Sequence, residues 1–451
     1  MKGVSPKPML EWFVVSYPNP VRARTSRSPS FSALLSFLWP GLGQLYAGRR
    51  LLAVVFAIPA VVAVAVVFYE AREGATVLAA RFLDPAFAWA AFVAVVGFGL
   101  WRLLSVIHAF VVGNRESTAR TGERSVLVIL LLLIVASHAA GAVYLWSAHD
   151  IGTNTFGGGN ANDETAVVPV TGSRTTILLT GLDQFSTRSE QLYDSIMVVS
   201  LDKATNRVAM VSVPRDTAGF PFYWGGTSKI KINALPTYVR NGWISSPDQP
   251  FPTLVKEVGY LVGVPINYYA TMNLANFMTM IDMVGGIDID NPAAISDPTY
   301  DWLDGSPYGF TLAAGRQHLD GRHALAYARS RHGSGNSDYA RAGRQQQLLV
   351  ALEQKMATPS VVINLPSWTQ QAGSLIRTDF PAAQVADMVA AGQKIPADNF
   401  DRYVLGPPYS VSSATATAST SCLMLDKVAP LSIKLFGQDS RYYGKTQAPT
   451  C

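Results

Sequence analysis

Three apolar runs set the first limit on what this chain can become. Leu51 to Tyr69, Ala86 to Val112 and Val126 to Trp146 are each long enough to cross a hydrocarbon core about 30 Å thick, which takes roughly 20 residues of helix. Inside lipid a backbone has no water to bond, so runs of this kind must be helical. The chain of 451 residues therefore divides into an α-helical membrane region over 31–148 and a larger remainder with the mixed composition of a globular protein.

Orientation follows from the loops. Gly113 to Arg124 carries Arg115, Arg120 and Arg124, and the positive-inside rule places it in the cytoplasm. By parity everything after Trp146 is extracytoplasmic, as is Ala71 to Pro85, and Arg49-Arg50 is inside. Residues 1–30, basic and without a signal-peptide cleavage pattern, then form a cytoplasmic tail. This parity holds if the shorter run Phe31 to Tyr46, broken at Pro40-Gly41-Leu42-Gly43, is interfacial or re-entrant. The expectation is a multi-pass cell-membrane protein held in the lipid bilayer by spans at about 51–69, 86–112 and 126–146, with an extracytoplasmic C-terminal domain.

The net charge is +5 and the isoelectric point near 9.1, yet the basic residues form no lysine-rich tail or stripe, which argues for no nucleic acid partner. Anionic lipid and phosphate ligands account for the balance. The two cysteines, Cys422 and Cys451, have no metal-ligand spacing and are either one disulfide or two thiols. Residues 149–173, with Gly157-Gly158-Gly159, read as a flexible linker.

Beyond the linker the pattern alternates between strands and helices, the mark of an α/β or α+β sandwich. Thr176 to Thr180 reads as a buried strand ending in Gly181-Leu182-Asp183. Ser195 to Leu201 and Arg207 to Val213 read as a hairpin. With Leu201 opposite Arg207, Asp194 falls opposite Pro214, and Asp194 and Arg215 share one end of the sheet. Were the first strand antiparallel to the second, Asp183 would end there too. Phe251 to Val262 and Leu274 to Val284 read as helices, Ile287 to Asn291 as a strand. Further helices are expected around Ala372 and over Ala382 to Gly392, and a loop near Ser410 to Ser421.

One stretch stands apart. Arg329, Arg331, Arg341 and Arg344 fall within sixteen residues of a chain that is only 15% charged. Leu325 to Arg331 alternates like a strand, presenting Tyr327, Arg329 and Arg331 on one face. After Gly333-Ser334-Gly335, Asn336, Ser337 and Asp338 resemble helix caps, and Tyr339 to Met356 carries an apolar stripe that places Arg341, Arg344 and Gln345 together. Arginines in the first turns oppose the helix dipole unless an anion is shared there. Two planar forks on a strand facing two on a helix start suit a pyrophosphate. The ordinary reading is a solvated face with Asp338 paired to Arg341. No Gly-x-Ser-x-Gly, His-Glu-x-x-His or Walker loop offers another chemistry, and His318, His323 and His332 read as structural or exposed.

Taken in order, Gly181-Leu-Asp183, Tyr193-Asp194-Ser195, Ser212-Val-Pro-Arg215-Asp216-Thr217, Lys231-Ile-Asn233-Ala, Leu319 to Arg331 and Asp338 to Gln346 resemble the LytR-CpsA-Psr family over roughly 174–356. The resemblance implies an α/β fold, an α-β-α sandwich with a central mixed sheet flanked by helices and a hydrophobic pocket for a lipid tail. Residues 174–356 are read as the catalytic domain and 357–451 as the C-terminal part of the extracytoplasmic region. It implies Mg²⁺ on Asp183 and Asp194, catalytic roles for Arg215, Arg341 and Asp194, and phosphate contacts from Arg329, Arg331, Arg344, Gln345 and Lys231, with Asp338 orienting Arg341. Two positions depart from the family pattern: Phe185 stands where an arginine is common, and Ser337 where a glycine often precedes the later aspartate.

The activity so implied is a Mg-dependent phosphotransferase. It moves a glycopolymer from a polyprenyl-pyrophosphate carrier to peptidoglycan and forms a phosphodiester. A non-catalytic lipid-phosphate-binding regulatory protein and a lipid pyrophosphate hydrolase are the alternatives, and either Asp194 or Asp216 could take the acceptor proton.

Overall fold

The computed structural model describes residues 27–116, 120–156, 168–183, 192–302, 304–332, 337–356, 358, 375–415 and 418–447. Several expectations fall outside them: the tail up to residue 26, the glycines at 157–159, Phe185, the loop at 333–336, the helix around Ala372, and Cys451.

Two compact units divide the chain, one comprising residues up to 64 together with 97–137, the other 65–96 with 138–451. In the first, α1 (Pro29–Leu38) and α2 (Leu42–Tyr46) are both too short to span a bilayer. Among the described residues three helices are long and apolar enough to cross a membrane: α3 (Arg50–Glu70), α5 (Pro85–Glu116) and α6 (Thr121–Phe156). The Pro-Gly-Leu-Gly-Gln segment now has a structural explanation. A Cβ on Gly41 would meet the Ala53 carbonyl oxygen at 2.3 Å, and one on Gly43 the Ser32 carbonyl oxygen at 2.0 Å, so only glycine permits the α1–α2 turn to pack this tightly. Gln44 is fully buried; it accepts from Ser36 Oγ at 2.8 Å and donates to the Ser105 carbonyl at 2.9 Å. Polar groups satisfied in this way join helices where water is absent.

The second unit is built on a six-stranded mixed sheet. Its strands are β1 (Arg174–Asp183), β2 (Leu192–Asp202), β3 (Arg207–Ser212), β4 (Tyr268–Asn273), β9 (Arg377–Thr378) and β10 (Phe400–Val404), in the order β10-β3-β2-β1-β4-β9. Strict alternation decides its two faces. Ile196 and Val198 of β2, with Ala209 and Val211 of β3, join one core with α8 (Pro250–Val262) and α13 (Leu425–Phe436). Met197, Val199 and Leu201, with Val208 and Met210, turn the other way toward α11 (Asp338–Met356) and α12 (Val385–Gly392). Helices on both faces make the α-β-α sandwich expected from the resemblance.

Three small antiparallel pairs complete the unit: β5 (Ile287–Asn291) with β8 (Gly315–Leu319), β6 (Ile295–Asp297) with β7 (Phe310–Leu312), and β11 (Ser410–Thr415) with β12 (Ala418–Leu423). The last pair replaces the loop expected near Ser410 to Ser421. Cys422, on β12, is disulfide-bonded.

Other corrections concern boundaries. Residues 149–156, expected in the linker, continue α6. The sheet takes β9 and β10 from beyond residue 356, so the part assigned to 357–451 is integral to the sandwich. The hairpin register is shifted by one: Asp202 faces Arg207 and Leu201 faces Val208. Of the stretch read as a strand, Leu325 to Arg329 belong instead to α10 (Gly321–Arg329), whose N-terminus Asp320 caps by accepting from the His323 amide at 2.8 Å, and Ser330 and Arg331 follow it. Ala324 to Ala328 are all buried, while Arg322, His323 and Arg329 stay at least partly exposed.

Burial leaves one carboxyl at a cost. Glu257 on α8 is fully buried, and desolvation pushes its pKa up to about 8 against the Tyr223 amide and the Arg441 charge. A raised folded-state pKa stabilises fully below the ordinary carboxylate range, and that contribution is lost as pH rises to about 8. Asp379, pushed up to about 6 by burial, acts in the same direction. Melting followed by circular dichroism should show the stability of wild type relative to Glu257→Gln falling across that window and constant above it.

Candidate active site

Local strand geometry sets the first half of the site. Gly181 faces Ser195 and Leu182 faces Tyr193, so Asp194 is the extra residue of a β-bulge. Bulges re-aim a side chain out of the ladder alternation and are common beside active sites. Continuing the β2–β3 register places Asp194 opposite Arg215, one position from the Pro214 expected, and Asp194 Oδ2 lies 2.7 Å from Arg215 Nη1. Asp183 ends β1 at the same end of the sheet, which is antiparallel to β2 as the convergence required.

From Arg215 a chain of charge runs outward. Arg215 Nε is 3.7 Å from Asp216 Oδ2, and Lys231 Nζ is 2.5 Å from Asp216 Oδ1. Burial opposes the Arg215 charge, but Asp194, then Asp216 and Asp338, outweigh it and hold its pKa above the ordinary value. Asp216 is thus a brace between two cations.

The second half comes from α10 and α11. Ser337 Oγ accepts from the Ala340 amide at 3.0 Å, capping α11 as its sequence suggests. Arg341, buried, pairs with Asp338 at 3.1 Å. Burial and then the Arg215 charge press its pKa down, while Asp338, Asp194 and Asp216 resist; guanidinium nevertheless stays charged. Two like charges held close and partly desolvated are ready for an anion. Gln345 accepts from Ser195 Oγ at 3.0 Å, linking α11 to β2.

Arg344 behaves differently. Its Nε donates to the Tyr327 carbonyl at 2.8 Å and its Nη2 to the Ser330 carbonyl. It closes the C-terminus of α10, where cations are favoured, and does not line the cavity described next. The structure therefore does not bring it to the cavity with the other arginines. Asp338 does not line that cavity either and acts through Arg341.

A cavity of about 1410 Å³ lies between the sheet and α11 and α12. Its mouth carries Asp183, Asp194, Arg215, Lys231, Arg329, Arg331, Arg341 and Gln345; its interior is apolar, with Ile177, Leu179, Met197, Val199, Leu349 and Met388. Among the described residues three buried polar atoms at the mouth have no hydrogen-bond partner: Asp194 Oδ1, Arg215 Nε and Arg329 Nη1. Orphaned buried polar groups are costly, so their gathering at one place calls for a ligand. The two aspartates suit Mg²⁺, a hard ion content with one or two carboxylates plus substrate phosphate and water. No group of three or more metal-ligating side chains gathers among the described residues.

Sequence reasoning missed Asp297. It is buried at the end of β6, and its Oδ2 accepts from Ser330 Oγ at 2.9 Å and from the Arg331 and His332 amides at 3.2 and 3.1 Å. It therefore holds the turn that presents Arg331. Its only sequence signal was the Asp297-Pro298 turn pair. His332, read as structural or exposed, lines the cavity beside Arg331, whose Nε donates to its Nε2 at 3.3 Å.

The α/β sandwich thus carries an arginine- and carboxylate-lined entrance to an apolar cavity. Residues 153–405, more than half of the chain, match the LytR_cpsA_psr family, and the chain belongs to that family. It is 30% identical over 256 residues to the polyisoprenyl-teichoic acid–peptidoglycan teichoic acid transferase TagV of Bacillus subtilis (strain 168), covering 56% of this chain and 62% of that protein. It is 31% identical over 212 residues to the TagU transferase of Bacillus mycoides (strain KBAB4), with coverages of 47% and 62%. The chain thus spans less than two thirds of the length of these relatives. The crystal structure of B. subtilis TagV aligns with a TM-score of 0.45 at 25% identity, over 59% of this chain and 98% of that one.

Proposed function

We propose that this protein transfers a glycopolymer from a polyprenyl-pyrophosphate carrier to peptidoglycan on the outer side of the membrane. The observation that carries the reading is the continuity of the three orphaned atoms at the charged mouth with the apolar cavity behind them. The names of the relatives, transferases of polyisoprenyl-linked teichoic acid to peptidoglycan, support it.

In this reading the isoprenoid tail occupies the cavity and the pyrophosphate sits at its mouth. A hydroxyl of the acceptor attacks the phosphorus that bears the glycopolymer. A new O–P bond forms, the bond to the bridging oxygen breaks, and its electron pair leaves with polyprenyl phosphate. Arg215 and Arg341 bind the non-bridging oxygens and offset the charge that accumulates on them. Arg329 and Arg331 hold the other phosphate, and Gln345 keeps α11 in register with Ser195. Asp216 is braced by Arg215 and Lys231, and Asp194 is the carboxylate assigned here to take the hydroxyl proton. Mg²⁺ held by Asp183 and Asp194 would neutralise pyrophosphate charge.

Withdrawal of the metal tests the assignment. A chelator should stop consumption of a labelled polyprenyl-pyrophosphate saccharide and added Mg²⁺ should restore it. Asp194→Asn should slow consumption at least about a hundredfold while still binding the lipid. Binding without consumption by the wild type, with both aspartates dispensable, would establish the regulatory alternative.

A further inference from the structure

Part of the cavity lining comes from outside the sandwich: Thr76, Ala79, Ala80 and Leu83, from α4 (Ala75–Arg81) and the turn that follows it. Thr76, Ala79 and Ala80, at i, i+3 and i+4, share one face of this short helix. This segment lies in the connection between α3 and α5, two of the helices long enough to cross a membrane. Opposite it stand Tyr144, Ile151 and Thr155 of α6, again on one face.

The contact is a packed one. Val77 and Ala80, both buried, join Val385, Ala386 and Val389 of α12 in one apolar cluster, while Val385, Met388 and Val389 of the same helix line the cavity. Arg81 is ion-paired to Glu70 and Glu73, which ties the end of α4 to the end of α3. Trp89 packs on Phe92, Trp146 and His149, an aromatic cluster of the kind that anchors membrane helices in the headgroup zone. Tyr144 and Ile151, which line the cavity, flank Trp146 and His149 in sequence.

We propose that α4 and the end of α6 form a binding site for the distal isoprene units of the carrier lipid. The membrane segment is then part of the substrate site as well as an anchor, and the tail is received at bilayer level by the chain that emerges there. A cavity of about 1410 Å³ exceeds the 300–1,000 Å³ typical of small-ligand pockets, and an apolar chain is the ligand that fills it. The inference rests on the lipid-pyrophosphate reading above.

The test uses the full chain in detergent and decaprenyl pyrophosphate carrying a diazirine at its terminal isoprene. Photolysis should place the adduct within residues 71–83 or 144–156, and geranyl pyrophosphate, which shares the headgroup, should compete it away. Competed adducts confined to other segments overturn the inference and leave the lipid-pyrophosphate reading standing. An absence of competable labelling removes both. In parallel, Ala79→Trp should reduce the preference for decaprenyl over geranyl pyrophosphate by about tenfold or more; an unchanged ratio contradicts the site.

Discussion

Replacing Arg341 by alanine should lower kcat/KM for the lipid-linked donor by about a hundredfold or more, roughly 2.7 kcal/mol of transition-state stabilisation, while the folded chain loses only about 1 kcal/mol. The asymmetry follows from its surroundings. Arg341 is buried beside Arg215 and is paired with Asp338, whose side chain is 40% exposed and can be rehydrated once its partner is gone. Removing Arg341 also relieves repulsion with Arg215. Its charge is therefore held mainly for a ligand. Steady-state kinetics and a denaturant titration on the same preparation measure both quantities, and an Arg341→Lys variant should recover little, since a point charge cannot replace a planar fork.

Arg344→Ala should show the reverse. Three positions along the same helix, Arg344 is also buried, yet its donors go to the carbonyls of Tyr327 and Ser330 and its guanidinium lies over the Tyr327 ring. Hydrogen bonds to charged groups contribute about 1.5–3 kcal/mol each, and their loss leaves carbonyls at the buried end of α10 unsatisfied. We expect destabilisation of about 3 kcal/mol with turnover per folded molecule within about tenfold of wild type. A large loss of turnover with an unchanged denaturation midpoint would return Arg344 to the phosphate site.

The contrast between these two arginines shows what the sequence can and cannot disclose. Both sit in the first turns of α11, and their spacing groups them equally. Arg341 lines the cavity beside Arg215, whereas Arg344 resolves its conflict with the α11 dipole by serving the C-terminus of α10. Only the position of α10 reveals this, and α10 was misread because Tyr327, Arg329 and Arg331 alternate in sequence as they would on a strand, while the helix ends at Arg329. The hairpin was legible because β2 and β3 alternate between two cores, so a shift of one residue moved Asp194 toward Arg215 without changing which end of the sheet they share. The bulge at Asp194 left no local mark, since the irregularity lies in pairing with β1. Asp297 and α4 were missed because each acts across a distance in sequence: one holds a turn more than thirty residues away, the other packs against α12.

The most direct measurement follows a labelled saccharide supplied on polyprenyl pyrophosphate to the full chain with Mg²⁺ and peptidoglycan fragments. The account predicts label on the fragment through a phosphodiester, stoichiometric release of polyprenyl phosphate, and loss of both in Arg341→Ala. Label recovered as free saccharide phosphate regardless of the fragment, or donor left intact by a folded, lipid-binding protein, would contradict it.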